Sequence, residues 1–192
     1  MQIFIYLSHI TMTVKITYFV HGTTTDNEQG LATGWLPGVL SELGLKQAKE
    51  LGTQVSDKKF DVVFCSDLQR AIDSANLAFG GKYEIIADER LRECNYWDHT
   101  EKPSKEFKSD MKANIDTPFP NGESYKDVGL RITSFVDFLK VNYKWKHVAI
   151  VAHEGPQIAL DVVLKGKNWD QAIDEDWRKQ HAWQPGWDYV IK

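Results

Sequence analysis

At 192 residues the chain can bury a full hydrophobic core, and that length suits one domain better than two. Its formal net charge of -4 and pI near 5.9 argue against a surface built to collect nucleic acid or anionic lipid, which needs Lys and Arg in excess on one face. The partners expected are small molecules, with no nucleic acid and no membrane.

The opening MQIFIYLSHIT lacks the basic start and small-residue cleavage site of a signal peptide, and no apolar run is long enough to span a bilayer. Met12 stands just before the first convincing strand, so residues 1–11 read either as an upstream start artefact or, from the alternation of Ile3, Ile5 and Leu7, as an extra edge strand. Residues 12–192 form the single expected domain. β-branched and aromatic residues predict strands over Val14–Val20, Phe60–Cys65, Tyr83–Ala87 and His147–Ala152. Between the first two strands, Ser41 caps a helix whose inner face carries Leu45, Ala48, Leu51 and Val55. In SDLQRAIDSANLAF, Ser66 and Gln69 have the spacing of a capping box, and Ala71, Ala75 and Ala78 offer a small-residue face for packing on a sheet. The stretch from His99 to Gly122, with Pro103, Pro118 and Pro120, is the least regular and is expected to be a lid.

Val128, Ile132, Phe135, Val136 and Leu139 mark the strongest amphipathic helix. Another helix follows HVAIVAH, with Pro156 in its first turn and Ile158 and Val162 facing inward. Trp169, Trp177, Trp183 and Trp187 crowd the C-terminus, where core packing or a homodimer contact is a commoner use than ligand stacking. Cys65 lies in an apolar stretch and Cys94 in a polar loop. Two such cysteines make neither a disulfide framework nor a zinc ligand set, so a reducing cytoplasm is the expected compartment.

Strands alternating with helices predict an α/β fold, a three-layer α/β/α domain with a mostly parallel central sheet and its ligand at the carboxyl ends of the strands. VHG, CSDLQR and VAHEG each lie at such an end. Taken singly these residues carry little. A histidine after a strand is more often structural than catalytic, Arg70 alone reads as a solvated charge, and Glu93 within LRE reads as exposed.

Together, His21 with Gly22, Arg70 after Ser66, Glu93 after Leu91 and His153 after an apolar strand occur in an order that resembles the histidine phosphatase superfamily, also called phosphoglycerate mutase-like. The resemblance covers roughly residues 15–155 and includes LSELGLKQAKELG, CSDLQRAIDSA, LRE, PNGESYKDV and VAHEG. It implies that His21 attacks phosphorus and becomes transiently phosphorylated, which splits one difficult displacement into two easier ones. It implies that Arg70 holds two phosphoryl oxygens in its planar fork, that His153 stabilises charge on the transferring group, and that Glu93 is the proton donor to the leaving oxygen. Thr24 and Asn27 fall where the family places further phosphate contacts, and the backbone at Gly22 can approach an anion closely. No metal and no cofactor are expected.

The chain departs from the family pattern in four places. An ungapped reading puts Val20 where the arginine of Arg-His-Gly belongs, Thr23 at a usual glutamate, Glu154 at a common glycine, and CNYWDHTEK where Gly and Glu-Gly often follow Glu93. Losing one charged donor typically costs about 2.7–4 kcal/mol of transition-state stabilisation, which slows a reaction by about a hundredfold to a thousandfold. Arg92 and Arg131 are the reserves among few arginines. The expected function is a cytoplasmic phosphatase that hydrolyses a small phosphorylated metabolite, a phosphomonoester, through a phosphohistidine at His21. The alternatives are a degenerate relative that binds a phosphorylated ligand without turnover and, less in keeping with the length and the missing arginine, a mutase.

Overall fold

The structure, a computed structural model, describes residues 13–108, 111–180 and 186–192, with the side chains of 179 and 180 excepted. The expectations for residues 1–11 and for Trp183 lie outside the described residues. Five strands form one sheet: β1 (Val14–Val20), β2 (Val62–Cys65), β3 (Ile85–Ala87), β4 (His147–Ala152) and β5 (Trp187–Ile191), in the order β3-β2-β4-β1-β5. β1, β2, β3 and β4 run parallel, and β5 closes one edge antiparallel to β1. The sheet is thus mostly parallel, as the alternation of elements predicted. β5 was not anticipated, although Trp187, Tyr189 and Ile191 are buried in alternation with exposed Asp188 and Val190, the period-two signature of a strand with one wet face.

The helices are α1 (Thr25–Gln29), α2 (Glu42–Gln54), α3 (Gln69–Phe79), α4 (Lys105–Lys108), α5 (Tyr125–Asn142), α6 (Glu154–Lys165) and α7 (Trp169–Asp174). On one face of the sheet Phe64 and Ile150 pack with Ile132, Phe135 and Leu139 of α5 and Ile158 of α6. On the other, Phe19, Val63 and Val151 pack with Leu51 of α2 and Ala75 and Phe79 of α3. All five residues predicted for the inner stripe of α5 are buried.

Three local expectations are corrected. Ser41 caps α2 through Gly44 N–H, but Leu45 is 41% exposed and lies off the inner face that Ala48 and Leu51 occupy. Ser66 does not open a capping box, because its hydroxyl accepts from Leu68 N–H and α3 begins only at Gln69, whose side chain instead donates to Asp73. Cys94 is fully buried, not in a polar loop, since the chain after Glu93 turns into the core. Among its described residues, the segment 99–122 is not irregular throughout. It contains α4 and a short 3₁₀ turn, and drives Met111, Ile115 and Phe119 into the main core.

Candidate active site

β1 and β4 are neighbours in register, with Val20 opposite Ala152, so the residues that follow them emerge side by side at the carboxyl edge. His21 N–H donates to the Ala152 carbonyl at 3.0 Å, and the rings of His21 and His153 stand 5.0 Å apart. Tyr18 locks the second histidine in place. Its buried hydroxyl donates to the His153 carbonyl at 2.7 Å and accepts from the His153 N–H at 2.9 Å. His153 itself is fully buried at the start of α6, and neither ring nitrogen has a hydrogen-bond partner among the described residues. Burial, followed by the charge of Arg70 and the neighbouring His21, pushes its pKa well below the usual histidine value.

The tautomer of His21 follows from its partners. The Gly22 carbonyl, 2.7 Å from Nδ1, can only accept, so Nδ1 carries the proton. The Arg70 Nε–H donates to His21 Nε2 at 3.2 Å, so Nε2 presents its lone pair. Burial and then the Arg70 charge depress the His21 pKa to about 3, which keeps the ring neutral at physiological pH.

Arg70, at the start of α3, is 2% exposed and is not a solvated surface charge. Its Nη1 donates to the Leu36 carbonyl at 2.6 Å and its Nη2 to the Gly34 carbonyl at 2.9 Å. Burial lowers its pKa to about 10, with Glu93 opposing, so it stays charged at neutral pH. Glu93 is also buried, contrary to the reading of LRE as exposed. Its Oε1 accepts from Cys94 N–H at 2.8 Å and Gly155 N–H at 2.9 Å, while Oε2 has one longer contact, 3.3 Å, from Glu154 N–H. Gly155 is needed for this approach, because a Cβ there would lie 2.6 Å from Glu93 Oε1.

His21, Gly22, Asn27 and Glu93 line a cavity of about 490 Å³, and His21, Asn27, Arg70 and Glu93 line a smaller adjoining one of about 120 Å³. Thr24 lines neither. It is fully buried, and its hydroxyl caps α1 by accepting from Asn27 N–H, while Asn27 Oδ1 accepts from Thr24 N–H. This capping box replaces the expected phosphate contact for Thr24 and leaves Asn27 at the cavity wall. Gly22 does approach another group closely, but that group is the protein's own backbone, since a Cβ there would meet the Gly44 carbonyl oxygen at 2.4 Å.

The reserve arginines lie elsewhere. Arg92 forms a two-point ion pair with Asp67 and stacks on Trp35. Arg131 donates to the carbonyls of Arg90, Arg92 and Glu93 and pairs with Glu123, which braces the loop that presents Glu93. Two other cations line the larger cavity, Lys108 from α4 and Arg178 from the 3₁₀ turn at 177–180, both bonded to Glu154 or close to it. Trp177 and Trp187 line it too. Sequence reasoning missed these cations. Their only signal was Glu154, the acidic departure in VAHEG, which has no reason to be there without a positive partner.

The fold and this cluster define an α/β protein with a histidine pair, a buried arginine and a glutamate gathered at the carboxyl edge of a mostly parallel sheet. The chain belongs to the histidine phosphatase superfamily (branch 1), whose model matches residues 18–185. It is 31% identical to a phosphoglycerate mutase of Schizosaccharomyces pombe, over 81% of this chain and 82% of that one. It is 28% identical to phosphoserine phosphatase 1 of Hydrogenobacter thermophilus, over 84% and 82% respectively. The solved alpha-ribazole phosphatase of Shigella flexneri has the same fold, with a TM-score of 0.75 at 24% identity over 93% of this chain and 90% of that one. Relatives named as phosphatases and as mutases therefore both resemble this chain.

Proposed function

We propose that the protein is a phosphatase that hydrolyses a small phosphomonoester through a phosphohistidine at His21. The observation that carries this reading is the state of His21: a neutral ring whose proton is fixed on Nδ1 by a carbonyl and whose Nε2 lone pair faces Arg70. A neutral imidazole with one committed nitrogen is the form that can attack phosphorus. In the first step Nε2 forms a bond to phosphorus as the ester P–O bond breaks, and Glu93 gives its proton to the leaving oxygen. Oε2, with one long amide contact against two short ones at Oε1, is the oxygen freer to carry that proton. In the second step Glu93 takes a proton from water, the hydroxide attacks phosphorus, and the electron pair of the P–N bond returns to Nε2. Arg70, and His153, whose ring nitrogens have no hydrogen-bond partner among the described residues, supply donors for the phosphoryl oxygens, with Asn27 and Gly22 at the cavity wall.

The substrate is a small phosphorylated metabolite and the setting cytoplasmic. The acidic composition and two free, buried cysteines support this, and no helix among the described residues is long and apolar enough to cross a membrane. Val20 at the motif position favours a second reading, a relative that binds a phosphorylated ligand without turning it over. A hydrolysis screen over phosphorylated metabolites across pH, with His21→Ala as control, tests the proposal. Release of inorganic phosphate that disappears in the variant is expected. Transfer to a sugar acid in place of water would make the protein a mutase, and phosphate binding without release would support the second reading.

A further inference from the structure

Val20 lines the cavity beside His21 but brings no charge, although the phosphoryl group being transferred carries several charged oxygens that must be held. What the chain offers there comes from residues far from it in sequence. Lys108 Nζ donates to Glu154 Oε2 at 2.5 Å, and Arg178 Nε stands 3.8 Å from Glu154 Oε1. Arg178 Nη1 donates to Asp176 at 2.7 Å. These contacts aim both cations, and all three charged side chains are mostly buried, at 26% exposed for Lys108, 23% for Arg178 and 13% for Glu154. Burial opposes ionisation of Glu154, but Lys108 and Arg178 outweigh it and hold the carboxyl below the usual range. An acid held charged by two cations is in turn a fixed anchor for them.

Two donors at this wall are left over. Arg178 Nη2 and the indole N–H of the adjacent Trp177 are buried without a hydrogen-bond partner among the described residues, in side chains that line the same cavity as His21. Buried donors are rarely left unmet, because each costs its full desolvation. These two unmet donors line the cavity that His21 lines, and the unpartnered ring of His153 stands 5.0 Å from the His21 ring, so an oxygen-rich anion in the cavity would satisfy them. Lys108 borders both cavities, and the charges of Arg178 and Lys108 both reach His21.

Resting on the reading of His21 as the phosphoryl acceptor, we propose that Arg178 and Lys108, anchored by Glu154, form the second cationic arm of the phosphoryl site and take over the task of the arginine that Val20 replaces. Two departures from the family pattern then have one cause. The loss of charge at position 20 and the gain of an acid at position 154 are halves of a relocated anion clamp. Arg70 grips from the α3 side, and the relocated pair from the α4 and C-terminal side.

The test measures binding of inorganic phosphate and of orthovanadate to the full chain by calorimetry, with thermal melting of every variant. Arg178→Gln and Lys108→Met should each weaken both anions by about tenfold to a hundredfold, the scale of one charge-assisted contact. Val20→Arg should recover most of that loss in the Arg178→Gln background and gain little in the parent chain, a non-additivity that a merely structural role for Arg178 would not produce. Should Arg178→Gln fail to fold, Lys108→Met and Val20→Arg alone decide the matter. Unchanged phosphate and vanadate binding in Lys108→Met, or Val20→Arg tightening the parent by tenfold, would overturn the assignment. In the hydrolysis screen, a loss in these variants confined to esters that carry a second acidic group would overturn it too, since the cations would then serve the leaving group. Phosphate binding that depends on both cations without any ester turnover would end the phosphatase reading and support the clamp.

Discussion

Arg70 Nε donates to His21 Nε2 at 3.2 Å, so the residue expected to bind phosphate and the residue expected to attack it are in direct contact. The contact points the Nε2 lone pair at the guanidinium, and the Arg70 charge adds to burial in keeping the ring neutral. The His21 ring should therefore show no titration between pH 5 and pH 8 by nitrogen NMR. Arg70→Met removes the nearer positive charge and should move the His21 pKa upward. A wild-type ring that titrates near 6.5 would contradict this account of the site.

The two depressed histidines also set a stability slope. Below about pH 6.5 the unfolded chain protonates both rings, whereas folded His21 resists until about pH 3 and His153 is likewise held below its usual value. The unfolded state thus binds more protons across this window, so stability should fall as pH drops from 6.5 toward 3. His153→Asn should flatten that fall. Urea unfolding at pH 7 and pH 4.5 measures it, and an unchanged slope in the variant would show that His153 is not buried in the neutral form.

Tyr18→Phe removes two hydrogen bonds to the His153 backbone and leaves its carbonyl only the 3.4 Å bond from Gln157 N–H. The buried N–H left unmet should cost about 1–3 kcal/mol in unfolding free energy. Turnover should fall as well, because the His153 ring loses its fixed position against His21. A variant with unaltered stability and rate would show that the pairing of β1 with β4 alone suffices.

Much of this arrangement was legible. Val14–Val20 and His147–Ala152 have the observed bounds, because central parallel strands are buried on both faces and read as nearly continuous apolar runs, interrupted in β1 by Lys15 and Thr17. His21, Arg70, Glu93 and His153 were singled out by their order along the chain, which resembles the family's, and the structure brings them to one edge of the sheet. Thr24 was misread because a hydroxyl near a phosphate motif and a hydroxyl at a helix start look alike until the capping partner Asn27 is seen. Lys108 and Arg178 were not legible, since Lys108 lies in a segment without periodicity and Arg178 in a C-terminal turn. Only tertiary packing brings either to Glu154. Arg92 and Arg131 drew attention only as two of the chain's few arginines, and tertiary packing commits Arg131 to bracing the loop that presents Glu93.

Gly155→Ala should disable the acid without emptying the anion site. The added Cβ would stand 2.6 Å from Glu93 Oε1, and the neighbouring contacts at Cys94, at 3.4 Å from its N and 3.6 Å from its Cβ, leave little room for the helix to yield. Ester turnover should drop at least about tenfold, as for loss of general acid catalysis, while orthovanadate affinity changes much less. Equal losses in both would place Glu93 in binding and not in proton transfer.

The central claim is that His21 Nε2 attacks phosphorus, and it is most directly tested by trapping the intermediate. The full chain is mixed briefly with a radiolabelled phosphomonoester, quenched in alkali and digested, and the label is located by peptide mapping. The account predicts acid-labile, alkali-stable phosphate on the peptide that contains His21, and no label in His21→Ala. Turnover of the same ester with no label on His21 would contradict it.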